Sequence, residues 1–404
     1  MRTLSAIALC LMLASPAAAE VGKRFPSEKQ IITDRVTGKP LTVLTSGQFD
    51  DSRIYQTHPQ WAQDGVHIIF RSGERSGDGT PQIFAVNELT GDIIQLTHGK
   101  GVYTGSINVA RLSQQVYYVR NEGGNKPQTV QVIDLAALLA DSAAGQIRRE
   151  GYEKTVATLP AGFIMAGGFS LDADEKTAYF GFDQIKAPPR PQGQPVPQVP
   201  GGILAMNLET GATHEVVRTD FRMGHVQANP LKSGEIMYCW ETGGDAPQRM
   251  WIVNADGTGN RPVYEEGPDD WVTHEQFADA DHVVFNLMGH TEKLSKRATG
   301  ILVINLRTGI IDNLGQVPFT SKGRSYWHNG VTYDGKYVAG DDFDGNVFLI
   351  DRETREQRLL TTGHLMRPDH AHPSFSADNK RVLIQSGMLT QGKKLSLIVI
   401  PVAQ

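Results

Sequence analysis

Cysteine is nearly absent from this 404-residue chain, which carries only Cys10 and Cys239. Cys10 falls in an N-terminal export signal, so the mature chain of ~385 residues keeps one thiol and no internal disulfide. A large buried core has to hold it together instead. Charge of one sign is lacking too: 39 Lys and Arg against 44 Asp and Glu leave −5. That balance excludes non-specific affinity for nucleic acid or for an anionic membrane, and an anionic ligand would need a local basic patch. Long apolar runs are missing as well. The stretch from Leu4 to Ala14 is too short to span a bilayer. With Arg2 before it and Ala17-Ala18-Ala19 after it, it reads as a signal peptide over residues 1–19, implying a periplasmic or secreted protein. Leu9 stands ahead of Cys10, where lipoprotein processing wants a small residue, which argues against a membrane anchor. No segment sustains a helical period.

What is present is repetition. Seven segments open alike: HPQWAQDGVHIIF (58–70), NVARLSQQVYYV (108–119), GGFSLDADEKTAYF (167–180), HVQANPLKSGEIMYC (225–239), HEQFADADHVVF (274–285), HNGVTYDGKYVAG (328–340) and HAHPSFSADNKRVLI (370–384). Each joins a short strand, a polar turn and a second apolar strand. Most continue into a third strand and a tight turn, as in AVNELTGDIIQL and VINLRTGIIDNL. Several strands per unit at a period of roughly 40–60 residues predict an all-β, seven-bladed β-propeller. The expected domain is single and covers residues 20–404, with the strand LTVLT (41–45) closing the ring and removing exposed sheet edges. The proline-rich segment 187–201 reads as a surface spacer on the third blade, because proline lacks a backbone donor. The alanine-rich segment 136–146 reads as one short helix.

Five of the seven openings start on histidine. Inner strands of a propeller converge on one funnel, so His225, His274, His328, His370 and His372 are expected to meet in space. His370 and His372 point to one face of a strand. With His274 from another blade they make a candidate site for Mn, Fe, Zn or Ni. Taken singly, each has an ordinary alternative, a bond to a turn within its own repeat. Arg367 stays protonated and cannot ligate a metal, but it can bind a carboxylate bidentately; its alternative is a surface pair with Asp369. Arg249 is a candidate for holding a second carboxylate, with a plain surface role as the alternative.

RMWIVNADG (249–257), the THE motif (273–275), YWHNGVTYDGKYVAGDD (326–342) and HxHPSF (370–375) resemble the oligogalacturonate lyases, with the likeness running from Gly224 to Gly387. That family is a seven-bladed propeller that cleaves uronate oligomers by β-elimination with manganese. The resemblance implies a metal held by His274, His370 and His372. Two departures stand out. Arg367 occupies the position of the family's glutamine ligand, and Trp240, in YCWETG (238–243), that of its proton-abstracting histidine. An indole has no useful basicity. The candidate bases are then His225, His328 and Tyr326, and Trp240 is left to stack on a sugar ring or to pack between blades. On this reading His225 and Arg367 are catalytic, Trp240, His328 and Arg249 touch substrate, and the partner is an anionic oligosaccharide.

A competing class is a non-catalytic periplasmic propeller that binds oligosaccharide or a protein partner, since HPQWAQDG (58–65) and PSFSADN (373–379) also fit generic propeller repeats. A peptidase's propeller is excluded, because no GxSxG motif or hydrolase domain accompanies the repeats.

Overall fold

The computed structural model describes residues 21–402 apart from Asn125, 192–193, 244–245, 319–323, 366–367 and Asp369. The signal segment, Arg367 and Asp369 therefore lie outside the described residues. Seven antiparallel sheets follow one another along the chain, and each is a propeller blade. The inner strands are Asp51–Arg53, Val102–Val109, Met165–Leu171, Met223–Ala228, Val272–Phe277, Tyr326–Val331 and Ser374–Phe375.

Local chemistry repeats with the blades. In four of them the outer turn is closed by a side chain that caps two following amides: Asn87, Asn207, Asn305 and Asp351 each accept from the second and third residues after them. Such Asx caps offer the backbone a turn in place of a strand. The single α-helix among the described residues, Leu135–Ala144, starts at Asp134, whose side chain accepts from the Ala137 amide, and stops at Gly145 in the left-handed region.

The core has no single centre. Its apolar residues form seven clusters, one between each pair of neighbouring blades. Middle strands are thus covered on both faces, which is why His67–Ser72 or Gly300–Asn305 shows almost no polar alternation. In the last of these layers Leu44, Leu383, Leu397 and Val399 pack on Phe70 and Phe84, joining the seventh blade to the first.

Closure uses two N-terminal strands, where the sequence pattern has one. Pro40–Val43 pairs with Ser396–Pro401, and Gln30–Thr33 lies outside it. The pattern of Gln30–Thr33 hides it, because this edge strand is largely exposed. Arg24–Phe25 goes elsewhere and pairs with Ile93–Gln95 on the outer edge of the first blade.

Candidate active site

Inner strands carry the polar groups of the funnel, and a recurrent irregularity aims them. The strands of the second to sixth blades each break register with their neighbour. In the fourth and fifth blades the break contains His225 (φ 47°) and His274 (φ 54°), and His372 (φ 50°) has the same left-handed backbone. A bulge re-aims a side chain that a regular strand would send to a blade face. A non-glycine residue at positive φ is strained, and such strain concentrates at functional sites.

Four histidines meet. Ring centroids of His274, His372 and His370 lie 4.1, 3.7 and 5.0 Å from that of His328. Gly330 allows this approach of the sixth and seventh blades, since a Cβ there would sit 2.2 Å from the Pro373 carbonyl oxygen. His225 stands one step away: Tyr55 touches it at 5.2 Å and His372 at 6.4 Å between ring centroids. Trp327 covers the other side, 5.4 Å from His274 and 5.3 Å from His370.

Hydrogen bonds assign the rings. His372 Nδ1 lies 2.9 Å from the His370 carbonyl oxygen, which can only accept, so Nδ1 carries the hydrogen and Nε2 keeps a lone pair. His274 is held neutral: burial, then the neighbouring His328 and Arg249, push its pKa well below the ordinary value. Its Nδ1 is buried with no hydrogen-bond partner among the described residues. Both rings therefore keep a nitrogen available, and neutral imidazoles are the donor type a divalent transition metal takes, although among the described residues His274, His370 and His372 do not bring three donor nitrogens within 4.8 Å of one another.

His328 and Arg249 correct the sequence reading. His328 is 2% exposed, and its Nδ1 and amide both engage Asp341, so it supports its neighbours rather than meeting a substrate. Arg249 is not a surface residue. It is 3% exposed, and its Nε donates to Glu275 Oε2 over 2.9 Å, so its guanidinium already holds a carboxylate of the protein. The same arginine decides against a second cation site. His225, Cys239 and Glu275 place donor atoms within 4.8 Å of one another. Yet Arg249 Nη2 lies 3.4 Å from His225 Nδ1, so a fixed cation already balances Glu275. Burial pushes the Cys239 thiol far up, which withholds the thiolate a metal would need.

His225 Nδ1 is 3.3 Å from Glu275 Oε1, and its Nε2 is 3.6 Å from Glu241 Oε2. Both His225 and Glu241 line a cavity of about 390 Å3 that opens over the first four blades. Trp240 stacks on Phe221 at 4.7 Å, and its indole N–H donates to Gln198 Oε1 over 2.8 Å. Gln198 belongs to the proline-rich segment, which is thus packed against the fourth blade and is no plain spacer.

No family model matches the chain. Relatives are nevertheless found over nearly its whole length. It is 23% identical over 397 residues to the oligogalacturonide lyase of Pectobacterium atrosepticum, covering 90% of this chain and 94% of that one. It is 22% identical over 400 residues to the oligogalacturonate lyase of Dickeya dadantii, with the same coverage. An oligogalacturonate lyase solved in complex with manganese superposes with a TM-score of 0.77 at 21% identity, over 95% of this chain and 98% of that one. The oligogalacturonate lyase of Vibrio parahaemolyticus gives 0.76 at 19%, over 95% and 99%. The chain resembles the oligogalacturonate lyases.

Against that likeness the two departures take on structure or lose it. At the position the resemblance gives to the lyase base, Trp240 is half-buried and hydrogen-bonded, an anchor and not a proton acceptor. Arg367, at the glutamine position, lies outside the described residues. Sequence reasoning missed Tyr55, Glu275 and Asp341. Glu275 follows His274 directly, so a period-two reading sends it to the opposite face; the bulge lets neighbours serve one site.

Proposed function

We propose that the chain is a lyase that cleaves oligogalacturonate, or a closely related uronate oligomer, by metal-assisted β-elimination. The observation that carries this reading is the gathering of His274, His370 and His372 around His328, at the positions the lyase motifs assign to a metal, in a fold shared with lyases over nearly the full chain. These three rings would hold the ion, manganese being the one in the solved relative. A divalent cation held there would supply Lewis-acid neutralisation of the uronate carboxylate, which would make the proton on carbon five more acidic.

The chain's own residues supply the rest. His225 is the proposed base. Its Nδ1 lies 3.3 Å from the Glu275 carboxylate and 3.4 Å from the Arg249 Nη2 donor, and the ring lines the cavity in which a substrate proton would be taken. Glu275 is kept ionised: burial raises its pKa, but Arg249 and His225 outweigh it and hold the carboxyl far below the usual range. A fixed carboxylate of this kind steadies an imidazolium once the proton has moved, as in catalytic triads. Tyr55, its hydroxyl 3.4 Å from His225 Nδ1, stays a phenol because burial pushes its pKa far up. Arg367 is assigned the substrate carboxylate on sequence grounds. The signal-like segment 1–19 supports a periplasmic or secreted location, with an anionic oligosaccharide as partner.

The test follows the ultraviolet absorbance of unsaturated products from galacturonate oligomers, with manganese and with a chelator. Product should form with the metal, stop with the chelator, and fall at least a hundredfold in His225→Ala. An inert wild-type protein that still binds the oligomers would replace the lyase by the binding-module reading, which the loss of the usual base at Trp240 favours.

A further inference from the structure

The cavity beside His225 is basic in a chain whose net charge is −5. Its lining includes three arginines, Arg71, Arg190 and Arg222, against one acidic residue, Glu241. Arg222 leans on the buried Asp183, Nε to Oδ2 3.6 Å. Arg190 differs. Its Nε donates to the Gln194 carbonyl at 2.7 Å, it is exposed, and it has no acidic partner among the described residues. It arrives from the proline-rich segment, an element with no counterpart in the other repeats.

That segment is fastened where the chain departs from the lyase motif. Gln198 donates to the Glu241 carbonyl over 2.8 Å and accepts the Trp240 indole N–H at the same distance. The Val196 amide reaches the Thr242 carbonyl at 3.4 Å, and Val196 and Val199 are buried. At the far end Gln184 bonds the Gly201 carbonyl at 2.7 Å. The approach is close: a Cβ at Gly243 would fall 2.7 Å from Val196 Cγ2 and 3.1 Å from Arg190 Nη2. Prolines lower the entropy lost in holding such a loop.

We propose that segment 187–201, fastened by Trp240, presents Arg190 to a subsite for a second carboxylate of the bound oligomer, beside the sugar processed at His225. The inference rests on the uronate-oligomer reading above. Trp240 acts here as a positioning residue, having exchanged basicity for an N–H that holds the loop. Arginine suits the task because its planar fork matches a carboxylate. Such a subsite selects dimers and longer oligomers over a single sugar.

The test is titration calorimetry with saturated mono-, di- and trigalacturonate, turnover being stopped by a chelator, together with steady-state kinetics in manganese. Arg190→Gln should weaken di- and trigalacturonate roughly tenfold and raise KM more than it lowers kcat, with monomer affinity within about twofold of wild type. Trp240→Phe, which keeps the stack on Phe221 but removes the N–H, should move the same ligands in the same direction. Added salt should shrink the wild-type preference for oligomers. Unchanged oligomer affinity in Arg190→Gln overturns the subsite and leaves the lyase reading standing. Arg190-dependent binding without unsaturated product overturns the lyase reading and keeps the subsite; a wild type that binds no uronate oligomer overturns both.

Discussion

Arg249 and Glu275 form an ion pair inside the propeller, Nε to Oε2 2.9 Å, with side chains 3% and 0% exposed. Two charges so deep are costly singly and tolerable together. Arg249→Met should therefore destabilise the fold by about 3–5 kcal/mol, because it strands a buried carboxylate. The double variant Arg249→Met with Glu275→Gln should recover part of that loss. Urea denaturation of both single variants and the double variant measures the coupling; strict additivity would mean that the pair is not the stabilising unit.

Asp341 joins two blades beneath the histidines. It accepts the His328 amide at 2.6 Å, faces His328 Nδ1 at 3.0 Å, and takes the His372 amide from the seventh blade at 3.1 Å. Asp341→Ala leaves these donors buried and unpaired, at about 1–3 kcal/mol each. Partners that orient ligand rings typically matter 10–100-fold for metal affinity. Manganese titration should show a loss of that order, and an unaltered affinity would separate Asp341 from the metal group.

Ring closure should be acid-sensitive. Thr361 donates its hydroxyl to Asp34 at 2.8 Å, so the 3.0 Å contact between Thr361 and His364 needs hydrogen on Nε2, and Nδ1 accepts from Ser386 at 2.9 Å. This chain links the sixth blade, the seventh blade and the turn before Pro40–Val43. Burial lowers His364 from 6.5 to about 4, although Asp34 and Asp341 oppose it. A base depressed in the folded state contributes stability that is complete above pH 6.5 and lost on descending toward 4. The limit is about 3 kcal/mol. Asp34, raised by burial but lowered more by the amides of Thr37 and Thr362, falls from 3.8 to about 2. Its contribution, about 1–2 kcal/mol after solvent screening, disappears below pH 3.8. Denaturation midpoints at pH 7, 5.5 and 4 should fall in wild type and fall less in His364→Gln; equal slopes would remove His364 from the acid response.

Blade number was legible because each repeat has to bury both faces of its middle strands, so the apolar runs recur along the chain, and Asx-capped outer turns mark four of the blades. The histidine group was legible because positions on the inner strands, as at His274 and His328, and just before one, as at His370 and His372, share one funnel. Glu275, Tyr55 and Arg190 were not. Glu275 reaches the site through a bulge that defeats the period of two, and Tyr55 precedes the quoted opening of its blade. Arg190 lies in a proline-rich stretch whose composition reports flexibility of sequence pattern but not the bonds of Gln198 that pin it. Two outer strands for one in the closure escaped for a simpler reason: Gln30–Thr33 is too exposed to carry an apolar signature.

The left-handed backbone at His225, His274 and His372 should be measurable as stored strain. The third blade has glycine at the corresponding break, Gly167 at φ 70°, where the conformation costs nothing. The three histidines hold φ 47–54° with a Cβ present. Such positions cost about 1–3 kcal/mol apiece, toward the lower end for histidine, which tolerates this region better than most residues. Alanine keeps the Cβ and the strain; glycine removes both. In a regular strand glycine is the worse choice by roughly 0.5–1 kcal/mol, so the expected order here is reversed. His225→Gly should unfold at a higher urea concentration than His225→Ala by about 1 kcal/mol, while both abolish turnover if His225 is the base. His274 should behave alike in metal-free protein. Alanine variants more stable than their glycine counterparts at both positions would show that the bulges are relaxed, and that geometry there is set by packing alone.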